Sequence, residues 1–284
     1  MKKHLSTIIV IVVFVIGLGL MLYPVVSDLL NKAHQSYAIS SYDKQVAKMS
    51  KEDFHRILTD ARSYNKTVTQ NEFPRDDRDV KGNDEYLKAI NPSGNGMIGY
   101  LKIETINVKM PIYHTTKESV LQIGVGHIPT TSLPVGGLNT HAVLTGHRGL
   151  PSAKLFTDLD KVKLGDRFQI IVLDDTLNYE VVQIKTVLPT DTADLQIVPG
   201  KDYVTLVTCT PYGINTHRLL VRGERVETIE ESAEVTSEAV RIDPLTVAPV
   251  VLAPVLLAWI ILMLTRPVKK KKTKDNKAER GESE

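Results

Sequence analysis

The only cysteine of the 284-residue chain, Cys209, stands where a nucleophile could work. It closes the run Tyr203–Cys209, whose β-branched residues predict a strand, and the next four residues, TPYG at 210–213, predict a turn. A residue at the last position of a strand is held by rigid backbone and can still face solvent. A thiol there could attack a carbonyl carbon once a base has taken its proton. The alternative is a buried cysteine that packs as a small apolar residue.

Among the eight histidines of the chain, His147 is the best candidate for that base. It follows the predicted strand His141–Thr145, in a loop framed by Gly146 and Gly149. Glycine lets the backbone bend tightly, which would expose the imidazole ring of the histidine between them. The alternative is the ordinary role of a histidine, on the surface or packed in the core.

Arg218 is the candidate for a stabilising cation. It opens the predicted strand Arg218–Val226, and antiparallel pairing of this strand with Tyr203–Cys209 would bring Arg218 close to Cys209. A guanidinium can stabilise a thiolate and donate hydrogen bonds to an oxyanion or a substrate carbonyl. A surface arginine without a catalytic role is the alternative.

Short segments rich in β-branched residues must hold these side chains in place. Seven or eight strands within roughly 130 residues favour a closed β-barrel or a sandwich, which helical patches at 118–122 and 152–160 interrupt. The predicted strands are Ile98–Ile103, Val108–Tyr113, His141–Thr145, Arg167–Leu173, Tyr179–Val187, Tyr203–Cys209 and Arg218–Val226.

The region before the strands has a helical pattern. Apolar residues recur at spacings of three and four between residues 31 and 69, and Ser50 with Asp53 predicts a helix start inside this region. Two helices are therefore expected there. Residues 71–95, rich in proline, glycine and charged residues, predict a loop.

Two uncharged segments, residues 7–26 and 245–265, are long enough to cross a bilayer as helices of roughly 30 Å. A cleavable signal peptide is the alternative interpretation of the first segment. Residues 1–6 carry a net charge of +2 and residues 266–284 carry +4, so that residues 7–265 carry −4 of the total of +2. Because basic residues accumulate on the cytoplasmic side, both ends are predicted inside and the middle outside.

The composition excludes several kinds of site. A single cysteine rules out an internal disulfide and any zinc or iron–sulfur site that needs several cysteines. The basic residues concentrate beside the predicted membrane segments, so no nucleic-acid partner is expected. The motifs imply no cofactor and no metal.

The segments around the three candidate residues resemble the sortases. TLVTCTPYGINTHRLLVRG at 205–223 contains the Thr-Leu-x-Thr-Cys pattern of that family and is similar to its class C, pilin-polymerising branch. LTGHRG at 144–149, NVKMPIYH at 107–114 and SAKLFTDL at 152–159 match further blocks. The resemblance covers about residues 30–226 and implies a mainly β fold, a closed eight-stranded barrel with short helices.

The resemblance also implies a chemistry. Cys209 would attack the Thr–Gly bond of an LPXTG-like sorting signal, His147 would act as general acid and base, and Arg218 would stabilise the oxyanion. A lysine amine of the next pilin subunit would resolve the thioester and extend a pilus. Thr208, Leu206 and Thr210, the neighbours of the cysteine in its strand, are the expected substrate-binding residues.

The chain departs from class C sortases at one place. These enzymes usually carry an N-terminal lid with an Asp-Pro-aromatic element over the cysteine, and neither Asp-Pro-Phe nor Asp-Pro-Trp occurs here. The nearest candidates for such a lid are Phe73, Asp76 and Asp77, within a segment that is otherwise a solvated loop. An altered, shorter or absent lid is therefore expected.

The predicted organisation follows from these assignments. The expected partners are pilin subunits, the lipid bilayer and, if the enzyme is of the housekeeping kind, a cell-wall precursor. The alternative functions are that housekeeping sortase and a membrane-anchored binding module without activity. The predicted regions are a cytoplasmic tip (1–6), a membrane helix (7–26), helices with a possible lid (27–96), the catalytic barrel (97–226), a linker (227–244), a second membrane helix (245–265) and a basic cytoplasmic tail (266–284).

Overall fold

The computed structural model describes residues 2–68 and 84–227. The predicted lid residues Phe73, Asp76 and Asp77 lie outside the described residues. So do the second predicted membrane segment, the basic tail and, beyond Glu227, the predicted linker. Of the described residues, those before Tyr23 belong to one compact unit, and those from Tyr23 onward belong to another.

Four α-helices occur in the described residues: α1 (Lys2–Val46), α2 (Lys51–Thr67), α3 (Asp84–Lys88) and α4 (Glu118–Leu121). The predicted break at Ser50 is confirmed. The Ser50 hydroxyl accepts from the backbone N–H of Asp53 and the Asp53 carboxylate accepts from the backbone N–H of Ser50, a capping box that starts α2. The prediction of a loop over 71–95 is wrong at α3.

Within the part of the chain that the structure describes, one helical stretch, residues 8–46 of α1, is long and apolar enough to cross a membrane. It begins beside the predicted span 7–26, but the helix continues without a break through Val46. The same length and composition would suit a signal sequence near an N-terminus. Helix α1 is therefore compatible with a membrane anchor and with a signal sequence. The second predicted span is not among the described residues.

Eight strands form a closed barrel, which decides between the two predicted β architectures. Their order around the barrel is β1-β2-β3-β4-β7-β8-β6-β5, and β5 pairs with β1 to close it. The pairs β2/β3 and β4/β7 are parallel and the other pairs are antiparallel. The strands are β1 (Met97–Ile103), β2 (Val108–His114), β3 (Val125–His127), β4 (Thr140–Thr145), β5 (Arg167–Val172), β6 (Asp175–Val187), β7 (Asp202–Thr210) and β8 (His217–Val226).

The second helical patch, predicted at 152–160, is a 3₁₀ helix over Leu155–Lys161. Strand β3 was not predicted because its three residues are too few for an alternating pattern. Two further 3₁₀ turns lie at Glu104–Ile106 and Ala193–Leu195.

The helices that precede the barrel share its core. Tyr42 of α1 donates its hydroxyl to the Ile98 carbonyl at 2.8 Å and accepts from the Leu173 backbone N–H at 2.8 Å. The amide of Asn65 on α2 makes two hydrogen bonds to the backbone of Leu133.

A buried polar cluster lies where β4 and β7 begin. The Asp202 carboxylate accepts from the Tyr179 hydroxyl at 3.1 Å and from the Gly137 backbone N–H at 2.8 Å. Burial raises the pKa of Asp202, while these hydrogen bonds lower it. Because a buried carboxylate is costly unless it accepts hydrogen bonds, this cluster fixes the loop before β4 to the start of β7.

Candidate active site

Strands β4 and β7 deliver two of the candidate residues to the same edge of the barrel. The strands are parallel, with Thr145 opposite Val207 at the end of the ladder. One residue further on, the Gly146 backbone N–H donates to the Val207 carbonyl at 3.1 Å. His147 and Cys209 each lie two residues beyond this last pair. Because parallel strands run side by side, the two residues leave the ladder at the same level.

Strand β8 brings the third candidate to the same edge. Cys209 and Arg218 are directly opposite each other in the antiparallel pair β7/β8, as the hairpin prediction required. Cys209 is half-buried and belongs to the last two positions of β7, after seven buried residues. A rigid strand therefore holds the thiol and leaves it partly open to solvent.

The guanidinium of Arg218 contacts the turn that joins β7 and β8. Its Nη1 donates to the carbonyl of Asn215 at 3.2 Å and to the carbonyl of His217 at 3.1 Å. The hydroxyl-bearing neighbour Thr216 is hydrogen bonded to the ring of His217. Arg218 thus has the expected backbone position beside Cys209, while its Nη1 stabilises the turn next to it.

His147 is accessible and has a carboxylate partner that the sequence did not indicate. The side chain of His147 is 27% exposed, and its Nε2 lies 3.2 Å from Oε2 of Glu118 on α4. Hydrogen bonds from Gln122 and from His147 lower the pKa of the Glu118 carboxyl. Since a carboxylate only accepts, Nε2 carries the hydrogen in this contact, and Nδ1 of a neutral ring is the basic nitrogen.

Phe156 and Thr157 of the 3₁₀ helix support the loop around His147. The Phe156 backbone N–H donates to the His147 carbonyl at 3.1 Å, and the Gly149 backbone N–H donates to the Thr157 hydroxyl at 3.2 Å. The ring of Phe156 lies so close to Gly146 that a Cβ at this position would come within 2.8 Å of Phe156 Cδ2. Packing against Phe156 therefore favours glycine at 146, while the left-handed backbone of the loop lies at Gly149, where φ is 78°.

Arg148, the residue after His147, connects three segments of the site. Its side chain is 8% exposed. Nη1 donates to the Thr210 hydroxyl at 3.1 Å, and Nη2 donates to the carboxylate of Asp160 on the 3₁₀ helix. This contact could not be predicted from the sequence, because Arg148 and Thr210 are 62 positions apart.

The three residues predicted to bind substrate differ in their surroundings. Leu206 is fully buried in the barrel core, and Thr208 is buried with its hydroxyl donating 2.8 Å to the Gly146 carbonyl. Both side chains are therefore enclosed by the fold, and their predicted contact with substrate stays a prediction. Thr210 is half-buried, and its hydroxyl accepts a hydrogen bond from Arg148. Its partial exposure at the end of β7 is compatible with the predicted contact with substrate.

Among residues 2–68 and 84–227, no group of three or more His, Cys, Asp or Glu side chains could hold a metal ion. Three histidines of this part, His114, His127 and His141, are buried in the fold. Burial lowers the pKa of His127 to about 3 and that of His141 to about 4, so these rings are neutral near pH 7. They stabilise structure and are separate from the three candidate residues.

Comparison with known proteins identifies the family. The Sortase domain model matches residues 101–226, from β1 to the end of β8. The crystal structure of sortase C1 from Streptococcus agalactiae is 48% identical, with a TM-score of 0.63, over 67% of this chain and 98% of that one. The chain belongs to the sortase family. The matched region of this sortase contains all three candidate residues.

Other relatives of this sortase are named as sortases C and D. Sortase C of Streptococcus pneumoniae, a structure described in terms of catalysis and pilin substrate specificity, is 44% identical with a TM-score of 0.61, over 67% of this chain and 97% of that one. Sortase D of Bacillus subtilis is 29% identical over 49% of this chain and 68% of its own length. The chain is therefore a sortase-type cysteine transpeptidase, similar to the class C enzymes.

Proposed function

We propose that this sortase joins pilin subunits, with Cys209 as the nucleophile, His147 as the general acid and base, and Arg218 as the oxyanion stabiliser. The observation that carries the proposal is the convergence of the three residues at the ends of β4, β7 and β8. A half-buried thiol at a strand end, an accessible imidazole and a guanidinium form a set suited to acyl transfer.

The reaction would proceed in two steps. In the first, His147 takes the proton of the Cys209 thiol, the sulfur forms a bond to the threonine carbonyl carbon of an LPXTG-like signal, the Thr–Gly C–N bond breaks, and His147 passes the proton to the leaving amine. In the second, a lysine amine of the next pilin forms the new amide, the C–S bond of the thioester breaks, and a proton of that amine passes through His147 to the Cys209 sulfur. Arg218 would stabilise the negative oxygen of both tetrahedral intermediates.

The proposal of a pilin substrate is supported by similarity to sortase C enzymes at 42–48% identity, one of which is described in terms of pilin substrate specificity. A housekeeping sortase that attaches proteins to a cell-wall peptide would use the same three residues. The two functions differ in the amine that resolves the thioester: a pilin lysine in one and a cell-wall peptide in the other. Identifying that amine would decide between them.

The proposed location is the cell membrane, with both termini in the cytoplasm and the barrel outside. The apolar stretch of α1 and the basic residues before it support the first anchor. The uncharged segment 245–265 and the +4 tail after it support the second. Anchoring both enzyme and substrate at one surface would raise their effective concentration.

The test uses the full-length chain in detergent. Incubation with candidate pilins should give a covalent ladder on a denaturing gel, and mass spectrometry should find an isopeptide bond between the threonine carbonyl and a lysine. Cys209→Ala should abolish the ladder. Transfer to a cell-wall peptide without a ladder would support the housekeeping function, and a ladder that survives Cys209→Ala would contradict the proposed mechanism.

A further inference from the structure

Arg148 holds a buried positive charge between the two segments that carry His147 and Cys209. Its guanidinium donates 3.1 Å to the hydroxyl of Thr210, the residue after the cysteine, and also to the carboxylate of Asp160. The side chain is 8% exposed although it belongs to a loop. A loop arginine that had no role inside the fold would extend into water.

The burial of this cation is only partly compensated. Arginine stays charged at any physiological pH, and a charge removed from water is costly unless its donors are used. Asp160 is 46% exposed and provides one partner, while the buried Nε of Arg148 has no hydrogen-bond partner among the described residues. The arrangement is therefore poorly explained as a stabilising ion pair, which points to a positional role.

The other bonds between the two segments stop short of the reacting groups. Gly146 bonds to the Val207 carbonyl, and Thr208 bonds to the Gly146 carbonyl. Both contacts lie before His147 and Cys209 in their segments. The bond from Arg148 to Thr210 lies after them, so that His147 and Cys209 are bracketed on both sides by cross-links.

We propose that Arg148 is a positioning residue for the transfer reaction, which fixes the separation of His147 and Cys209 through Thr210 and Asp160. This inference rests on the proposed catalytic roles of those two residues. Arg148 itself contacts neither of their side chains in the hydrogen bonds described. Proton transfer between an imidazole and a thiol depends steeply on distance. Loss of the Arg148 hydrogen bonds to Thr210 and Asp160 should therefore lower kcat strongly and change KM little.

The planar fork of arginine is essential to this role. It directs two N–H groups at two partners on different segments, whereas a lysine ammonium on a flexible stem would not hold both in fixed geometry. Arg148→Lys should therefore lower kcat by about 10- to 100-fold with KM changed less than about twofold. Thr210→Val, which removes the acceptor, should lower kcat in the same direction, and Thr210→Ser, which keeps it, should restore most of the activity.

The test measures kcat and KM for the full-length chain in detergent, with a quenched fluorogenic peptide containing Leu-Pro-Glu-Thr-Gly. The pH dependence of Cys209 alkylation by iodoacetamide provides a second readout, because it reports the thiol and its neighbour without needing turnover. Arg148→Lys should shift this profile toward that of His147→Ala. The matched control is Arg167→Lys, since Arg167 pairs with Glu180 on the exposed surface of β5 and β6.

The outcomes separate the two proposals. Turnover that persists in Cys209→Ala contradicts the proposed function itself. If Cys209 is essential and Arg148→Lys keeps wild-type kcat, only the positioning role is overturned. A lower melting temperature with an unchanged alkylation profile would also overturn it, because a merely structural arginine gives that result. Should Arg148→Lys fail to fold, the Thr210→Val and Thr210→Ser pair decides the question through the split between kcat and KM. A lower kcat at unchanged KM supports positioning, and a raised KM at unchanged kcat, which loss of a substrate-binding residue would give, overturns it.

Discussion

Strand β4 and the loop after it carry two histidines with opposite surroundings. His141 is fully buried, its Nδ1 lies 2.8 Å from the Gln196 carbonyl, and its Nε2 lies 2.7 Å from the Thr205 hydroxyl. His147, just beyond the other end of the strand, is 27% exposed and contacts an exposed glutamate. The imidazole of His141 thus stabilises the fold through hydrogen bonds at both ring nitrogens, whereas the imidazole of His147 is partly open to solvent.

The largest expected effect separates these two histidines directly. His147→Ala should lower kcat by about 10²- to 10⁴-fold, the usual contribution of a general acid–base group, with little change in stability. His141→Ala should leave kcat of the folded enzyme near its wild-type value and reduce the free energy of unfolding by about 1–3 kcal/mol, because it leaves buried polar partners unpaired.

Peptide turnover and urea unfolding of both variants provide the measurement. The comparison would fail if His141→Ala lost turnover at wild-type stability, or if His147→Ala unfolded the chain while the remaining folded fraction stayed active.

The partly exposed residues of the candidate site could be predicted from the sequence better than the buried contacts. The glycine frame of His147 and the strand-end position of Cys209 are local features, and the pairing of Cys209 with Arg218 spans a single hairpin. The structure confirms this pairing of Cys209 with Arg218 in the hairpin of β7 and β8. The eight-stranded barrel was expected from the family resemblance, since strand count alone also allowed a sandwich.

The missed features depend on contacts between distant positions. Glu118 lies 29 positions before His147, and Arg148 lies 62 positions before Thr210. Neither contact has a local pattern, because it follows from the parallel pairing of β4 with β7 and from the position of α4. The surroundings of Leu206 were also not evident from the sequence: it lies only three positions before Cys209, but alternation along β7 directs its side chain into the core.

The second prediction concerns the effect of low pH on the two buried histidines His127 and His141. Burial lowers the pKa of His141 to about 4 and that of His127 to about 3, below the ordinary value of 6.5. These histidines therefore bind protons more readily in the unfolded chain than in the folded chain. The free energy of unfolding keeps its full value above about pH 6.5 and decreases as the pH falls from there toward the pKa values of the folded state. Between about pH 7.5 and about pH 5 the loss should be about 2–4 kcal/mol.

Urea unfolding at the two pH values tests this expectation, and His141→Gln should reduce the pH dependence because one titrating group is gone. A stability that stayed constant over this range would mean that the buried rings are not held neutral.

The third prediction compares two glycines that lie against phenylalanine rings. A Cβ on Gly146 would come within 2.8 Å of Phe156 Cδ2 beside the His147 loop, and a Cβ on Gly223 would come within 2.5 Å of Phe168 Cε1 inside the barrel. Both alanine variants should lose about 1–3 kcal/mol through overpacking. Gly146→Ala should in addition lower kcat about 10-fold, because relief of the clash displaces His147.

Gly223→Ala is the matched control, since it introduces the same atom against the same kind of ring away from the site. Turnover per folded molecule, with the folded fraction taken from circular dichroism, separates the two effects. Equal kcat in both variants would mean that the Phe156 contact does not determine the position of the histidine.

The smallest expected effect concerns the exposed partner of His147. Glu118 is 65% exposed, and an ion pair in solvent is weak and screened by salt. Glu118→Gln should therefore lower kcat/KM only about two- to threefold at low ionic strength, and the difference should disappear near about 0.5 M NaCl. Glu180→Gln, which removes the exposed partner of Arg167, should change nothing. A loss above about 50-fold would assign Glu118 a direct part in proton transfer, because solvent screening does not allow an orienting contact of this exposure to contribute so much.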